Sequence, residues 1–115
     1  MKSTCIALIG LVIFAFTGKD PLTGTWQRVG PGNRQVIFRE DSTFDMLVNE
    51  TLRLSGKYSL KENIFTIDDY GCPDMTGTYK LSFFGNNDSC RFEVIHDACD
   101  GRRAQADGAV LFRVK

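Results

Sequence analysis

Gly24-Thr25-Trp26 opens, and Leu111-Phe112-Arg113 closes, a run of short segments in which apolar and polar side chains alternate. Alternation with a period of two marks a strand that buries one face. It recurs about every ten residues, and Gly, Asn or Asp breaks it each time. No stretch keeps a helical period beyond a turn or two. The predicted strands cover 25–29, 35–40, 43–48, 52–60, 63–67, 78–84, 90–96 and 110–114. Between them stand Gly30-Pro31-Gly32-Asn33, Glu40-Asp41-Ser42, Asn49-Glu50, Lys61-Glu62, a longer segment 68–77, Gly85-Asn86-Asn87-Asp88 and segment 97–108, all rich in turn-forming residues.

Eight strands joined mostly by short turns remove both exposed sheet edges by closing, so the expected fold is all-β, an eight-stranded antiparallel up-and-down barrel. Alternation directs Trp26, Val36, Phe38, Phe44, Met46, Val48, Leu54, Tyr58, Leu60, Phe65, Ile67, Tyr79, Leu81, Phe83, Phe92 and Val94 inward. A barrel of this size is either filled by its own side chains or holds one small ligand. The lining is bulky and aromatic, which favours filling at least as much as a pocket; Ser55 and Gly56 are the small residues that leave room.

In such a meander the first strand pairs with the last in opposite directions, so Trp26 and Arg113 become neighbours at one end. A guanidinium over an indole contributes about 0.5–2 kcal/mol and keeps donors free for nearby carbonyls.

The first 18 residues have a basic start at Lys2, an apolar run over 6–16 and a small-residue exit ending at Gly18. This is the layout of a signal peptide, and the run is about half a membrane span, so the expected mature protein is soluble and secreted or periplasmic, a single domain over 19–115. Export makes a disulfide reasonable among Cys72, Cys90 and Cys99. Cys72 follows the fifth strand and Cys99 the seventh, which places both at one rim, whereas Cys90 starts the seventh strand at the other. A Cys72–Cys99 bridge is expected, with Cys90 inward beside Phe92 as a free thiol.

The Gly24-x-Trp26 opening, the meander and an arginine near the end of the last strand resemble the calycin superfamily, in particular small secreted bacterial lipocalin-like domains. Cys72-Pro73, Gly77-Thr78-Tyr79-Lys80 and Asp97-Ala98-Cys99-Asp100-Gly101-Arg102 are similar to the pattern of that group. The resemblance implies a closed barrel end with Trp26 under Arg113, and a binding role. The chain is shorter than a full lipocalin and carries no C-terminal helix in this reading.

Charge is balanced, 14 basic against 14 acidic residues, which offers nothing to nucleic acid or an anionic membrane. His96, the one histidine, stands beside Asp97, but adjacent strand residues point to opposite faces, so no catalytic or zinc site is expected. Asp68, Asp69, Asp74, Asp97, Asp100, Asp107, Arg102 and Arg103 collect at one rim; turn capping and mutual neutralisation explain them better than a cation site, with Asp97–Arg102 as a pair inside the long loop. No phosphate loop or nucleophile motif appears, so neither an enzyme nor a cofactor is expected. Asn49-Glu50-Thr51 and Asn87-Asp88-Ser89 match glycosylation acceptors, which matter only in a eukaryotic source.

The expected function is a binding module for a small hydrophobic molecule, contacted from the interior by Phe38, Phe44, Met46, Leu54, Tyr58, Phe65, Tyr79, Phe83 and Phe92. The alternatives are a barrel that binds a secreted protein, as protease-inhibitor-like modules do with an N-terminal arm (here 18–23) or rim loops, and a structural envelope protein with a filled core.

Overall fold

A computed structural model describes residues 20–115. The proposed leader over 1–18 and the first part of the arm lie outside the described residues. The chain forms β1 (Gly24–Arg28), β2 (Arg34–Phe38), β3 (Thr43–Val48), β4 (Thr51–Lys61), β5 (Ile64–Asp69), β6 (Gly77–Phe84), β7 (Ser89–His96), a short helix α1 (Asp100–Ala106) and β8 (Val110–Arg113). The strands close into an all-antiparallel barrel in sequence order, with β1 returning to β8 through Trp26 opposite Arg113.

The tightest hairpins have a simple local cause. β3–β4 turns at Asn49 (φ 52°) and Glu50 (φ 67°), and β4–β5 at Glu62 (φ 50°) and Asn63 (φ 70°). Two consecutive left-handed residues give a turn whose twist matches the strands it joins.

One end of the barrel is shut. Leu22 is fully buried, its carbonyl accepts the Trp26 indole N–H at 2.8 Å, and its own N–H donates to the Asp20 carboxylate at 2.7 Å. Residues 20–23 are thus a plug pinned to the barrel, whereas the protein-binding alternative would use 18–23 as a free arm: burying Leu22 gains more than exposing it to solvent. Above the plug, Phe38 meets Tyr58 with ring centroids 4.9 Å apart, and Phe65 meets Phe92 at 5.0 Å, both edge to face. Tyr79, Leu81 and Cys90 complete this packed half.

The helix is the element that periodicity does not reveal. It lies within the β7–β8 connection at the opposite, open end, and ends before Gly108, whose φ of 81° suits glycine. With alanines as its only apolar residues it carries no hydrophobic stripe, although Arg102-Arg103-Ala104-Gln105-Ala106 is a run of good helix formers.

Candidate functional site

The open half of the barrel holds a cavity of about 490 Å3. Its floor is aromatic, from Phe38, Phe44, Phe65, Tyr79 and Phe92, and its walls come from Val36, Met46, Val48, Leu54, Ile67 and Leu111. Arg28, Arg34, Gly71, the disulfide, Gly101, Arg102, Gln105 and Ala106 form the mouth. The interior is therefore half filled and half open.

Seven of the nine interior residues singled out in the sequence line this space: Phe38, Phe44, Met46, Leu54, Phe65, Tyr79 and Phe92. Tyr58 and Phe83 do not. Tyr58 lies beneath the floor against Phe38 and Phe65 and donates its hydroxyl to the Arg39 carbonyl at 2.8 Å. Phe83, near the closed end of β6, packs on Trp26 with centroids 6.4 Å apart. Both face inward, but alternation does not report depth along the barrel axis.

The room does not come from Gly56 or Ser55. A Cβ on Gly56 would stand 2.1 Å from the Asp68 carbonyl oxygen, so that glycine serves the close approach of β5 to β4. Ser55 donates to the Asp45 carboxylate at 2.7 Å. Small residues at the mouth, Gly71, Gly101, Ala106 and Ala109, leave the space instead.

The helix is anchored beside the mouth from two directions. The Cys72–Cys99 disulfide ties its N-cap residue to the β5–β6 loop, and Cys99 donates its N–H to Asp97 Oδ1 at 2.9 Å. Arg102 then reaches back as the centre of a buried network. Its Nε donates to Asp97 Oδ2 at 2.8 Å and its Nη2 to Asp97 Oδ1 at 2.7 Å, a bidentate grip. Its Nη1 donates to Asp69 Oδ2 at 3.0 Å, and Nη2 also donates to the Met75 carbonyl. Asp69 Oδ1 accepts the N–H groups of Gly71 at 2.8 Å and Cys72 at 3.1 Å, and the Tyr79 hydroxyl donates to Asp97.

Such satisfaction explains how carboxylates endure at this depth. Burial works to raise the Asp97 pKa, yet the Arg102, Tyr79 and Cys99 donors outweigh it and hold the carboxyl down at about 2. Burial first, then the bond to Asp97, raises the Tyr79 phenol above its ordinary value. Hydrogen bonding to Asp97 raises the Arg102 pKa against its own burial.

On the opposite side of the mouth, Arg28 Nη1 donates to the Gln105 carbonyl at 2.5 Å and Arg34 Nη1 to Gln105 Oε1 at 2.6 Å. The sequence reading missed both arginines, although the signal was present: each lies two residues from an inward side chain, Trp26 or Val36, at the open end of its strand. Nothing in alternation marks Gln105 as their partner.

Asp74 is exposed, and the remaining rim groups are occupied locally. Asp68 accepts the Thr76 hydroxyl at 2.5 Å, Asp107 accepts the Val94 N–H at 2.9 Å, and Arg103 lies 3.2 Å from Asp100. His96 is exposed. Among the described residues no group of three or more His, Cys, Asp or Glu is arranged to hold a metal, and no helix is long and apolar enough to cross a membrane. Compared with known protein families, with curated proteins and with solved structures, the chain matches none.

Proposed function

We propose that the protein is an exported binding protein that takes a small, largely apolar molecule into the open half of its barrel. The observation that carries this reading is the cavity of about 490 Å3 with an aromatic floor, inside the range of about 300–1,000 Å3 common to small-molecule sites. An apolar pocket gains from a hydrophobic occupant that fits it. A closed barrel end supports the reading too, because it keeps the floor rigid while the mouth varies.

Export is supported by the Cys72–Cys99 disulfide, a bond typical of oxidising compartments, and by the leader-like pattern of residues 1–18. The contact of Arg113 with Trp26 supports kinship with the calycins, where the resemblance implies such a pair. Binding rather than catalysis is favoured because the carboxylates nearest the cavity, Asp69 and Asp97, are spent on Arg102 and backbone donors.

The test is titration with the neutral fluorophore N-phenyl-1-naphthylamine, followed by thermal unfolding at rising ligand concentration. The expected result is saturable one-to-one binding, and at about 100 times Kd a stabilisation of about 2.7 kcal/mol, or about 11–22 °C in a domain of this size. Ala106→Phe, which fills the mouth, should weaken binding with the fold intact. Absence of saturable binding across neutral apolar probes defeats the small-ligand reading and moves attention to a partner protein at the rim.

A further inference from the structure

The mouth of the cavity carries an arrangement that barrel stability does not require. The β1–β2 register pairs Trp26 with Val36 and Gln27 with Gln35; Arg28 and Arg34 are the next residues of the two strands, past the last of these pairs, and both reach Gln105. Like charges brought together at the ends of neighbouring strands work against the sheet. Both side chains are half-buried, both line the apolar cavity, and among the described residues neither is paired with a carboxylate. They share a single neutral partner: Arg28 holds the main-chain carbonyl of Gln105 and Arg34 its side-chain oxygen. Burial first, and then the Arg34 charge, lower the Arg28 pKa, the direction expected for a cation without its counterion.

Elsewhere at this rim the chain satisfies an arginine with carboxylates, as Arg102 is by Asp69 and Asp97. The different treatment of Arg28 and Arg34 leaves a net positive pair facing an apolar space of ligand size. We infer that Arg28 and Arg34 clasp the anionic head of an amphiphile whose apolar tail fills the cavity, and that the head takes the place of Gln105 as their shared acceptor. This rests on the cavity reading above and narrows it to a ligand class, a hydrocarbon or flat apolar body ending in a carboxylate or similar small anion. Two guanidinium forks converging on one anion give short charge-assisted bonds, stronger than those to a neutral amide. Because Gln105 belongs to α1, the exchange frees that flank of the helix from the β1–β2 turn, while Arg102 and the disulfide hold the other.

The experiment uses three probes with a common tail, decanoate, 1-decanol and decyltrimethylammonium, each displacing N-phenyl-1-naphthylamine from the purified protein. Decanoate is expected to bind about tenfold more tightly than 1-decanol, and the cation more weakly than either. Two variants test the assignment independently. Replacing both arginines (Arg28→Gln with Arg34→Gln) removes the charge. Gln105→Glu keeps both arginines and gives them an internal carboxylate at an exposed helix position that the fold tolerates. In each, the decanoate preference should fall to within about twofold while 1-decanol affinity holds. Equal affinity of decanoate and 1-decanol for the parent protein overturns the clasp and leaves the apolar cavity standing. A decanoate preference that survives both variants also overturns it. If none of the three displaces the fluorophore, the cavity reading fails and the clasp with it.

Discussion

The guanidinium carbon of Arg113 stands 4.4 Å from the centre of the Trp26 ring, and the same guanidinium closes the barrel end by donating to carbonyls on both sides of it. Nη1 reaches Thr23 at 2.9 Å; Nη2 reaches Pro21 at 2.7 Å and Asn87 at 3.2 Å. A single side chain thus joins the plug, the β6–β7 turn and the last strand. Trp26→Ala should cost about 3–5 kcal/mol, as loss of a fully buried aromatic does, and Arg113→Ala less. Chemical denaturation of both single variants and the double should give a coupling of about 0.5–2 kcal/mol. Strict additivity argues that the contact contributes nothing.

The Asp97 network should set both pH limits of the fold. The Asp97 pKa is depressed in the folded state, to about 2 from an ordinary 3.8, so its contribution is present above 3.8 and disappears as pH falls toward 2. The loss amounts to about 2 kcal/mol. The Tyr79 pKa is raised by burial and then by the Asp97 bond, so its contribution is complete below the ordinary value of 10.0 and is lost as pH climbs beyond it. Urea midpoints measured across pH should drop at both ends. In Asp97→Asn the acid limb between 4 and 2 should flatten, at the cost of about 1.5–3 kcal/mol at neutral pH because Arg102 loses its bidentate partner while keeping Asp69.

How much of this was legible follows from what each pattern encodes. Strand positions, the closure of β1 on β8 and the Trp26–Arg113 contact follow from period-two alternation and strand parity, which need no knowledge of depth. The Cys72–Cys99 bridge follows from the same parity, because both cysteines leave their strands at one rim. Depth is what alternation omits: it separates Phe92, at the cavity, from Phe83, beneath it, no better than chance. Helix α1 is held by Arg102 and a disulfide rather than by an apolar stripe, so hydrophobic periodicity had nothing to detect. The pairing of Arg102 with Asp97 is local and readable, whereas its reach to Asp69 joins residues 33 apart and appears only once β5 and the helix meet. Arg28 and Arg34 were readable in principle, by counting two residues from Trp26 and Val36.

Glu50 occupies a left-handed position, φ 67°, where a side chain is strained and glycine is not. Glu50→Gly should therefore raise stability by about 0.5–1 kcal/mol, read as a higher denaturation midpoint with an unchanged slope. Thr51→Gly, one residue on and inside β4, should do the reverse.

Cys90 should be chemically silent in the folded protein. It is fully buried against the core, and burial pushes its thiol pKa up to about 12, so the reactive thiolate is scarce at neutral pH. Alkylation followed by peptide mapping should leave Cys90 unlabelled until denaturant is added. Rapid labelling under native conditions contradicts the packing of β7 described above.

The Cys72–Cys99 bridge spans 27 residues and anchors the helix beside the mouth, so its removal should act on two scales. Globally, Cys72→Ala with Cys99→Ala should cost about 3.5 kcal/mol through the greater freedom of the unfolded chain. Locally, α1 keeps Arg102 and the Gln105 contacts but loses the covalent tie at its N-cap, and apart from the Arg102 side chain it buries little of its own surface. Elements with few buried contacts open first. Amide exchange should therefore quicken in Arg103 and Asp107, whose N–H groups bond within the helix at 2.9 Å, well before it quickens in β6 and β7. If exchange instead rises evenly over the barrel, the bridge stabilises the whole fold and does not specifically hold the helix at the cavity mouth.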